Sequence, residues 1–213
     1  MSLKSFLVSK LEGTDLLLWR VLTRHSFLHE LGWIRSWRNK RPVDKAGNPL
    51  PWITYAAMSF LDKRLNSRMS VFEYGCGGST YWFAARARQV ISCEHDESWA
   101  VEVRGRASAN VEIIHAPLAQ GRYAGVVGGY SDCFDIVFVD GRDRVACVRN
   151  CLPALNSGGV VVIDNSDETE HLPAIDFLKA QGFKHLPFDG PGPGGTRCWE
   201  TSILYRPDNC LGL

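Results

Sequence analysis

The sequence predicts an α/β fold: a mostly parallel sheet covered by helices on both faces. Three observations carry that prediction. From residue 71 onward, short apolar and β-branched runs alternate with segments of helical spacing. The first run ends in a glycine turn, Gly75-Cys76-Gly77-Gly78, that opens directly into a helical segment. The last two runs are separated only by a Gly/Pro loop without helical spacing, so they form an antiparallel hairpin at the sheet edge.

The elements follow in order. Leu3, Leu7, Leu11, Leu18, Val21 and Leu28 recur at three- and four-residue steps between charged residues, which predicts helix over residues 3–38. The three prolines, Gly47 and Asn48 of residues 41–51 make that stretch a loop, and residues 52–65 return to helical spacing. Residues 1–65 are therefore a helical extension, and residues 66–213 the α/β domain. Within that domain, Val71–Tyr74 is a strand and Thr80–Arg88 a helix. Val90–Cys93 is a strand, and Glu97–Ala107 is a helix capped by Asp96. Val111–His115 and Phe134–Val139 are strands, the latter an apolar run with β-branched residues broken only by Asp135, as suits a strand covered on both faces. Arg142–Leu155 is helical, with Pro153 interrupting its last turn. Val160–Ile163 is a buried strand, residues 170–181 a helix, and Phe183–Pro187 and Thr201–Tyr205 the closing hairpin. Repeated β-α units require right-handed crossovers and helices on both faces.

The 213 residues are 45% apolar and 22% charged, which places the chain among globular proteins. Twenty-four basic and 23 acidic residues give a net charge of +1. That balance supplies no long-range attraction to nucleic acid or to an acidic membrane. Seven cysteines without a CxxC pair argue against a disulfide framework and against structural zinc, and for a reducing cytoplasm. No secretory pattern opens the chain, and no apolar stretch reaches the roughly 20 residues of a bilayer span.

Two positions beside the glycine turn narrow the ligand. In the dinucleotide pattern G-x-G-x-x-G the third glycine would fall at position 80, which is Thr80. Glu73 stands two residues before Gly75, where a pyrophosphate would meet a like charge, whereas a cationic group would be tolerated. Glu94 ends the second strand 21 positions after Glu73 (94 − 73). A carboxylate there can accept both hydroxyls of a ribose.

These residues, FEYGCGGST at 72–80, CEHD at 93–96, FDIVFVDGR at 134–142 and GGVVVIDN at 158–165, resemble the class I, Rossmann-like S-adenosylmethionine-dependent methyltransferases. The likeness is strongest to bacterial members with a VFEYGxGxST turn and VDGRxR after the fourth strand. The resemblance spans about residues 52–206. It implies a three-layer fold with a seven-stranded sheet in the order 3-2-1-4-5-7-6, the last strand antiparallel. It also implies S-adenosylmethionine as cofactor, lined by Glu73, Tyr74, Gly75, Gly77, Gly78, Ser79 and Thr80, with Glu94 on the ribose and His95 and Asp96 beside the adenosine.

Asp140, after the fourth strand, and Asp164 and Asn165, after the fifth, gather at the carboxyl edge, where open α/β sheets bind ligands. They are the candidate catalytic groups, Asp140 first and Asp164 second, with Asp140 also adjoining the cofactor. Here the sequence is similar to the catechol and caffeoyl-coenzyme A O-methyltransferases, and that likeness implies Mg²⁺ held by Asp140, Asp164 and Asn165. The pattern departs at Asp143, where those enzymes carry a lysine base; the alternatives are a metal-free acid that orients the acceptor or takes its proton, and Asp164 and Asn165 as caps of the next segment. Arg142 and Arg144 either face the pocket mouth, where they would suit an anionic acceptor, or are a solvated helix start. Trp52, Tyr55, Trp99 and Trp199 are stacking candidates, most of them expected in the core. His115 is either packed or near the adenine.

The expected reaction is methyl transfer to a small-molecule or sugar acceptor, at a hydroxyl. The rivals are an NAD(P)-dependent oxidoreductase, a non-catalytic scaffold on the same fold, and an aminopropyl transferase, for which no dense acidic pocket is evident. The apolar stripe of the N-terminal helix must be buried, over the site or against a second copy of the chain.

Overall fold

Alternation along the strands builds two cores. The computed structural model describes residue 21 and residues 26–213. In β1 (Ser70–Tyr74), Val71 faces one side of the sheet while Phe72 and Tyr74 face the other. β4 (Phe134–Val139) and β5 (Leu155–Asp164) repeat the pattern: Ile136, Phe138, Val160 and Val162 join Val71, while Val137, Val139, Val161 and Ile163 join Phe72. A period of two sends successive side chains to opposite faces. Because both faces are covered, the central stretches of these strands are largely apolar.

The first face is covered by α3 (Tyr55–Asp62) and α4 (Gly78–Ala84), which bring Ala57, Met58, Leu61, Trp82 and Phe83. The second is covered by α7 (Arg144–Cys151) and α8 (Leu172–Ala180), through Cys147, Val148, Cys151, Ala174, Ile175 and Leu178. The i, i+3, i+4 spacing of those residues is what places them on one stripe. β2 (Gln89–Glu94), α5 (Glu97–Arg104) and β3 (Val111–His115) extend the sheet on one side. The hairpin β6 (Lys184–Pro191) and β7 (Cys198–Tyr205) extends it on the other.

The seven strands lie in the order 3-2-1-4-5-7-6. β7 runs antiparallel to both β5 and β6, and the remaining pairs are parallel. Both the predicted order and the predicted hairpin are as expected. Asp96 caps α5 as anticipated, its Oδ1 accepting from the Trp99 N–H at 3.0 Å.

The differences lie at the ends of elements and before the sheet. Much of the helix predicted over 3–38 lies outside the described residues. Within them it is broken into α1 (Phe27–Glu30) and α2 (Trp33–Asn39). Gly32 makes the break, at φ +75°, with its backbone pressed against Val43 and Asp44; a side chain has no room there. α4 starts at Gly78 rather than Thr80. α7 is shorter than expected at both ends, and Leu152–Ala154, which contains Pro153, tightens into a 3₁₀ turn. A short helix, α6 (Arg122–Gly125), fills the connection between β3 and β4. Among the described residues no helix is long and apolar enough to cross a membrane.

Candidate active site

Gly75 follows β1 at φ +89°, a conformation that favours glycine. A Cβ there would stand 3.1 Å from the Cα of Gly141, so the loops after β1 and β4 meet backbone to backbone. Gly77 lies under the Trp99 ring, whose Nε1 donates to the Cys76 carbonyl at 2.6 Å. Gly78 is packed against the Leu50 carbonyl, 2.5 Å from where a Cβ would be. The turn is thus clamped by the second strand's helix on one side and by the loop before α3 on the other.

Glu73 sits on the α4 face of β1 and is fully buried. Its Oε2 accepts from the Thr80 hydroxyl at 2.5 Å and from the Ser92 hydroxyl at 2.6 Å. Thr80 Oγ1 in turn accepts the Gly77 N–H at 2.9 Å. Glu73, Thr80 and Gly77 therefore form one chain that fixes the turn. Burial pushes the Glu73 carboxyl up to about 7, against the lowering pull of the Ser79, Ser92 and Thr80 hydroxyls. Among the described residues its Oε1 meets no hydrogen-bond partner.

Glu94, at the end of β2, is nearly buried. Its Oε2 accepts from Cys76 N–H at 3.1 Å, and its Oε1 from His95 N–H at 2.7 Å and Asp96 N–H at 2.9 Å. A carboxylate has about four acceptor directions, so one remains for a ligand hydroxyl. The His95 ring is partly exposed, with Nδ1 2.7 Å from Glu94 Oε1. Asp96 is exposed and engaged in its cap, its carboxyl lowered by the Ser98 hydroxyl and the Trp99 N–H. The Tyr74 phenol points into the core and donates to the Ala124 carbonyl at 2.9 Å. Only its backbone adjoins the turn, so at that position the sequence identifies the chain segment and not the side chain.

At the adjoining edge, Asp140, Asp164 and Asn165 do come together, around a residue that sequence reasoning left open. Arg144, in the first turn of α7, is largely buried. Its Nη2 lies 3.2 Å from Asp140 Oδ1, its Nη1 donates to Asn165 Oδ1 at 3.1 Å and also to the Asp164 carbonyl, and its Nε donates to the Gly141 carbonyl at 3.0 Å. Asp164 turns its Oδ1 to the Trp199 Nε1 at 2.9 Å and the Thr201 hydroxyl at 2.6 Å. Burial pushes both acids up. Asp140 is raised further by the charge of Asp164, and Arg144 pulls each of them back.

In this arrangement the three residues expected to hold Mg²⁺, Asp140, Asp164 and Asn165, are engaged by protein donors. Two of the three donors are turned to a guanidinium, and the third is held by an indole and a hydroxyl. A divalent ion needs converging oxygens with room for its waters; here the positive charge is already supplied by Arg144. Arg142 is exposed, so of the two arginines one is inside and one is not. His115 is exposed, with Nε2 3.3 Å from the His95 carbonyl. Trp52 is also exposed rather than packed, while Trp99 and Trp199 are partly buried at the two halves of the edge.

The bare backbone of Gly75 and Gly77, the spare acceptor capacity of Glu94 and the unpartnered Glu73 Oε1 fit a cationic nucleoside. The turn departs from the dinucleotide pattern at Thr80, whose hydroxyl is buried between Gly77 and Glu73.

Residues 72–166 match a family model described as a methyltransferase domain. No curated protein matches the chain. Among solved structures, the chain is similar to a precorrin-6y C5,15-methyltransferase from Geobacter metallireducens, at 16% identity over 80% of this chain and 96% of that one, with a TM-score of 0.59. A protein from Streptococcus mutans, described as a candidate methyltransferase and solved in complex with SAH, is 16% identical over 69% and 94% of the two chains, with a TM-score of 0.52. Spermidine synthase from Thermotoga maritima is 16% identical over 68% of this chain and 55% of its own, with a TM-score of 0.52. At such identities the likeness shows the fold, and the chemistry must be argued from the site.

Proposed function

We propose that this chain, whose residues 72–166 match a methyltransferase domain and whose sheet has the class I order, transfers a methyl group from S-adenosylmethionine to a small-molecule or sugar acceptor, at a hydroxyl. The observation that carries the reading is the joint made by Glu94. One carboxylate binds the Cys76 N–H of the glycine turn and the His95 and Asp96 N–H groups of the next loop. It therefore stands fixed beside a backbone that glycines leave bare, with acceptor capacity to spare for a ribose.

Bound there, the cofactor would supply an electrophilic sulfonium methyl group. Glu94 would hold its ribose, and the backbone at Gly75 and Gly77 would admit its amino acid end, with the buried charge of Glu73 behind it. His95 and Asp96 would flank the adenosine. The work left to the protein is to place an acceptor oxygen in line with the methyl and to take its proton.

Asp140 is the group for that proton. It adjoins Gly141, whose backbone touches the glycine turn, so acid and cofactor are neighbours. Burial and the nearby Asp164 raise its carboxyl, which brings it closer to the basicity a hydroxyl proton requires, while Arg144 pulls it back down. Asp164 is held in place by Trp199 and Thr201 and orients the acceptor. No step calls for a metal. The seven unpaired cysteines support a cytoplasmic location.

Incubation with methyl-labelled S-adenosylmethionine and a panel of phenols, alcohols and sugars tests the reading. Label should appear in a small acceptor, and Asp140→Asn should slow transfer about 100-fold or more. Label found only in protein or RNA would overturn the acceptor class.

A further inference from the structure

Beyond the edge just described lies a cleft of about 480 Å³, lined by Ser36, Trp37, Arg38, Lys40, Arg41, Trp52, Pro193 and Gly194. That volume suits a small molecule, since ligand pockets run from about 300 to 1,000 Å³. Its walls come from α2, the loop after it, the start of α3's approach and the β6–β7 loop. We propose that this cleft is the acceptor subsite and takes a flat ring bearing an acidic group. The inference rests on the methyl-transfer reading for the word acceptor, and on the cleft's own residues for the ligand class.

Charge gives the first half of the ligand. Arg38, Lys40 and Arg41 line the cleft, and among the described residues no acid does. Among the described residues, Arg41 meets Glu102 only at 3.8 Å, with both side chains well exposed. Such a pair is worth little and yields readily to a ligand anion. Guanidinium groups match a carboxylate or phosphate two bonds at a time. The whole chain carries a net charge of only +1, which suits one anionic group rather than a polyanion such as RNA.

Aromatic surface gives the second half. Trp37 and Trp52 are 57% and 51% exposed, on the same cleft. Large exposed indoles beside cations are costly to leave in water and useful for stacking on a planar ring.

Position gives the role. Gly194 packs on the backbone of Trp37, and the next carbonyl, Gly195, accepts from Trp33 Nε1 at 2.8 Å. The Trp199 ring covers Gly192 and Gly195 and donates to Asp164. One indole therefore separates the cleft from the proposed reacting acids. Trp52, also in the lining, lies two residues after Leu50, whose carbonyl packs on Gly78 of the glycine turn. The cleft thus adjoins, through Trp199 and Leu50, both halves of the proposed site.

Calorimetric titration of the full chain with 4-nitrophenyl phosphate, 4-nitrobenzoate and the neutral 4-nitrobenzyl alcohol tests this, with S-adenosylhomocysteine alongside. At least one anion should bind about tenfold tighter than the alcohol. The phosphate and carboxylate arms show which acid the site prefers. The double variant Arg38→Gln/Arg41→Gln should lose that margin, and Trp52→Ala should weaken all three probes. Both variants should bind S-adenosylhomocysteine as the parent does, which also shows that they are folded. The proposal is overturned if the alcohol matches the anions, if the double variant keeps the margin, or if neither anion binds below about 10 mM. A parent chain that shows the cleft pattern yet takes no S-adenosylhomocysteine would overturn the cofactor reading, and the acceptor role with it, while the anion site stood.

Discussion

Replacing Glu73 by glutamine isolates the cost of a buried charge beneath the glycine turn. Glu73 is fully buried, accepts from Thr80 and Ser92, and has its carboxyl pushed by burial from an ordinary 4.5 to about 7. An acid raised in the folded state binds its proton more tightly there than in the unfolded chain. Its stabilising contribution is complete below pH 4.5 and is lost as pH rises through 7. The gap between 4.5 and about 7, at about 1.4 kcal/mol per pH unit, is worth about 3 kcal/mol. Between pH 5 and 8.5 most of it, about 2–3 kcal/mol, should appear. Glutamine keeps the shape and one acceptor oxygen but has nothing to titrate. Urea unfolding of parent and Glu73→Gln at pH 5, 6, 7, 8 and 8.5 measures the difference, in which the other acids cancel because both chains carry them. The variant should gain on the parent steadily as pH rises. A gap between the two that does not move with pH would refute the argument.

Other consequences follow from the same contacts. Thr80→Val removes the hydroxyl that both accepts from Gly77 and donates to Glu73; it should cost about 1–3 kcal/mol in urea unfolding and weaken S-adenosylhomocysteine binding, with Thr80→Ser restoring both. Arg144→Gln removes the charge that pulls Asp140 and Asp164 down. If ionised Asp140 takes the proton, the acid limb of the rate–pH profile should move to higher pH, with activity recovering at the alkaline end; an unmoved limb would remove Arg144 from that role. A chelator should leave turnover unchanged, since Arg144 holds the donors that Mg²⁺ would need; loss of activity restored by Mg²⁺ would reverse that conclusion.

Most of the fold was legible because its signals are local. Valine and isoleucine runs at Phe134–Val139 and Val160–Ile163 can only be doubly covered strands. The gap between the last two runs is a Gly/Pro loop without helical spacing, which pointed to the hairpin. The glycine turn and Glu94 were legible for the same reason: each ends a strand. What sequence hides is the third dimension of single side chains. An arginine in a helix's first turn is ordinarily solvated, so nothing local marks Arg144 as the residue that joins the ends of β4 and β5. Tyr74 sits next to Gly75 in sequence, yet the period of two turns its ring into the opposite core. Trp52 carries an apolar side chain on an apolar stretch, and it is exposed because it walls a cleft. That cleft joins residues 36–41 and 52 to residues 193–194, a separation no spacing pattern reports.

The central claim is that Glu94 and the glycine turn hold the nucleoside of S-adenosylmethionine. Calorimetric titration of S-adenosylmethionine, S-adenosylhomocysteine and NAD into the chain and into Glu94→Ala tests it most directly. The account predicts micromolar binding of both sulfur compounds to the parent, lost in the variant, and no binding of NAD. A folded parent chain that binds neither sulfur compound, or that binds NAD in their place, would contradict it.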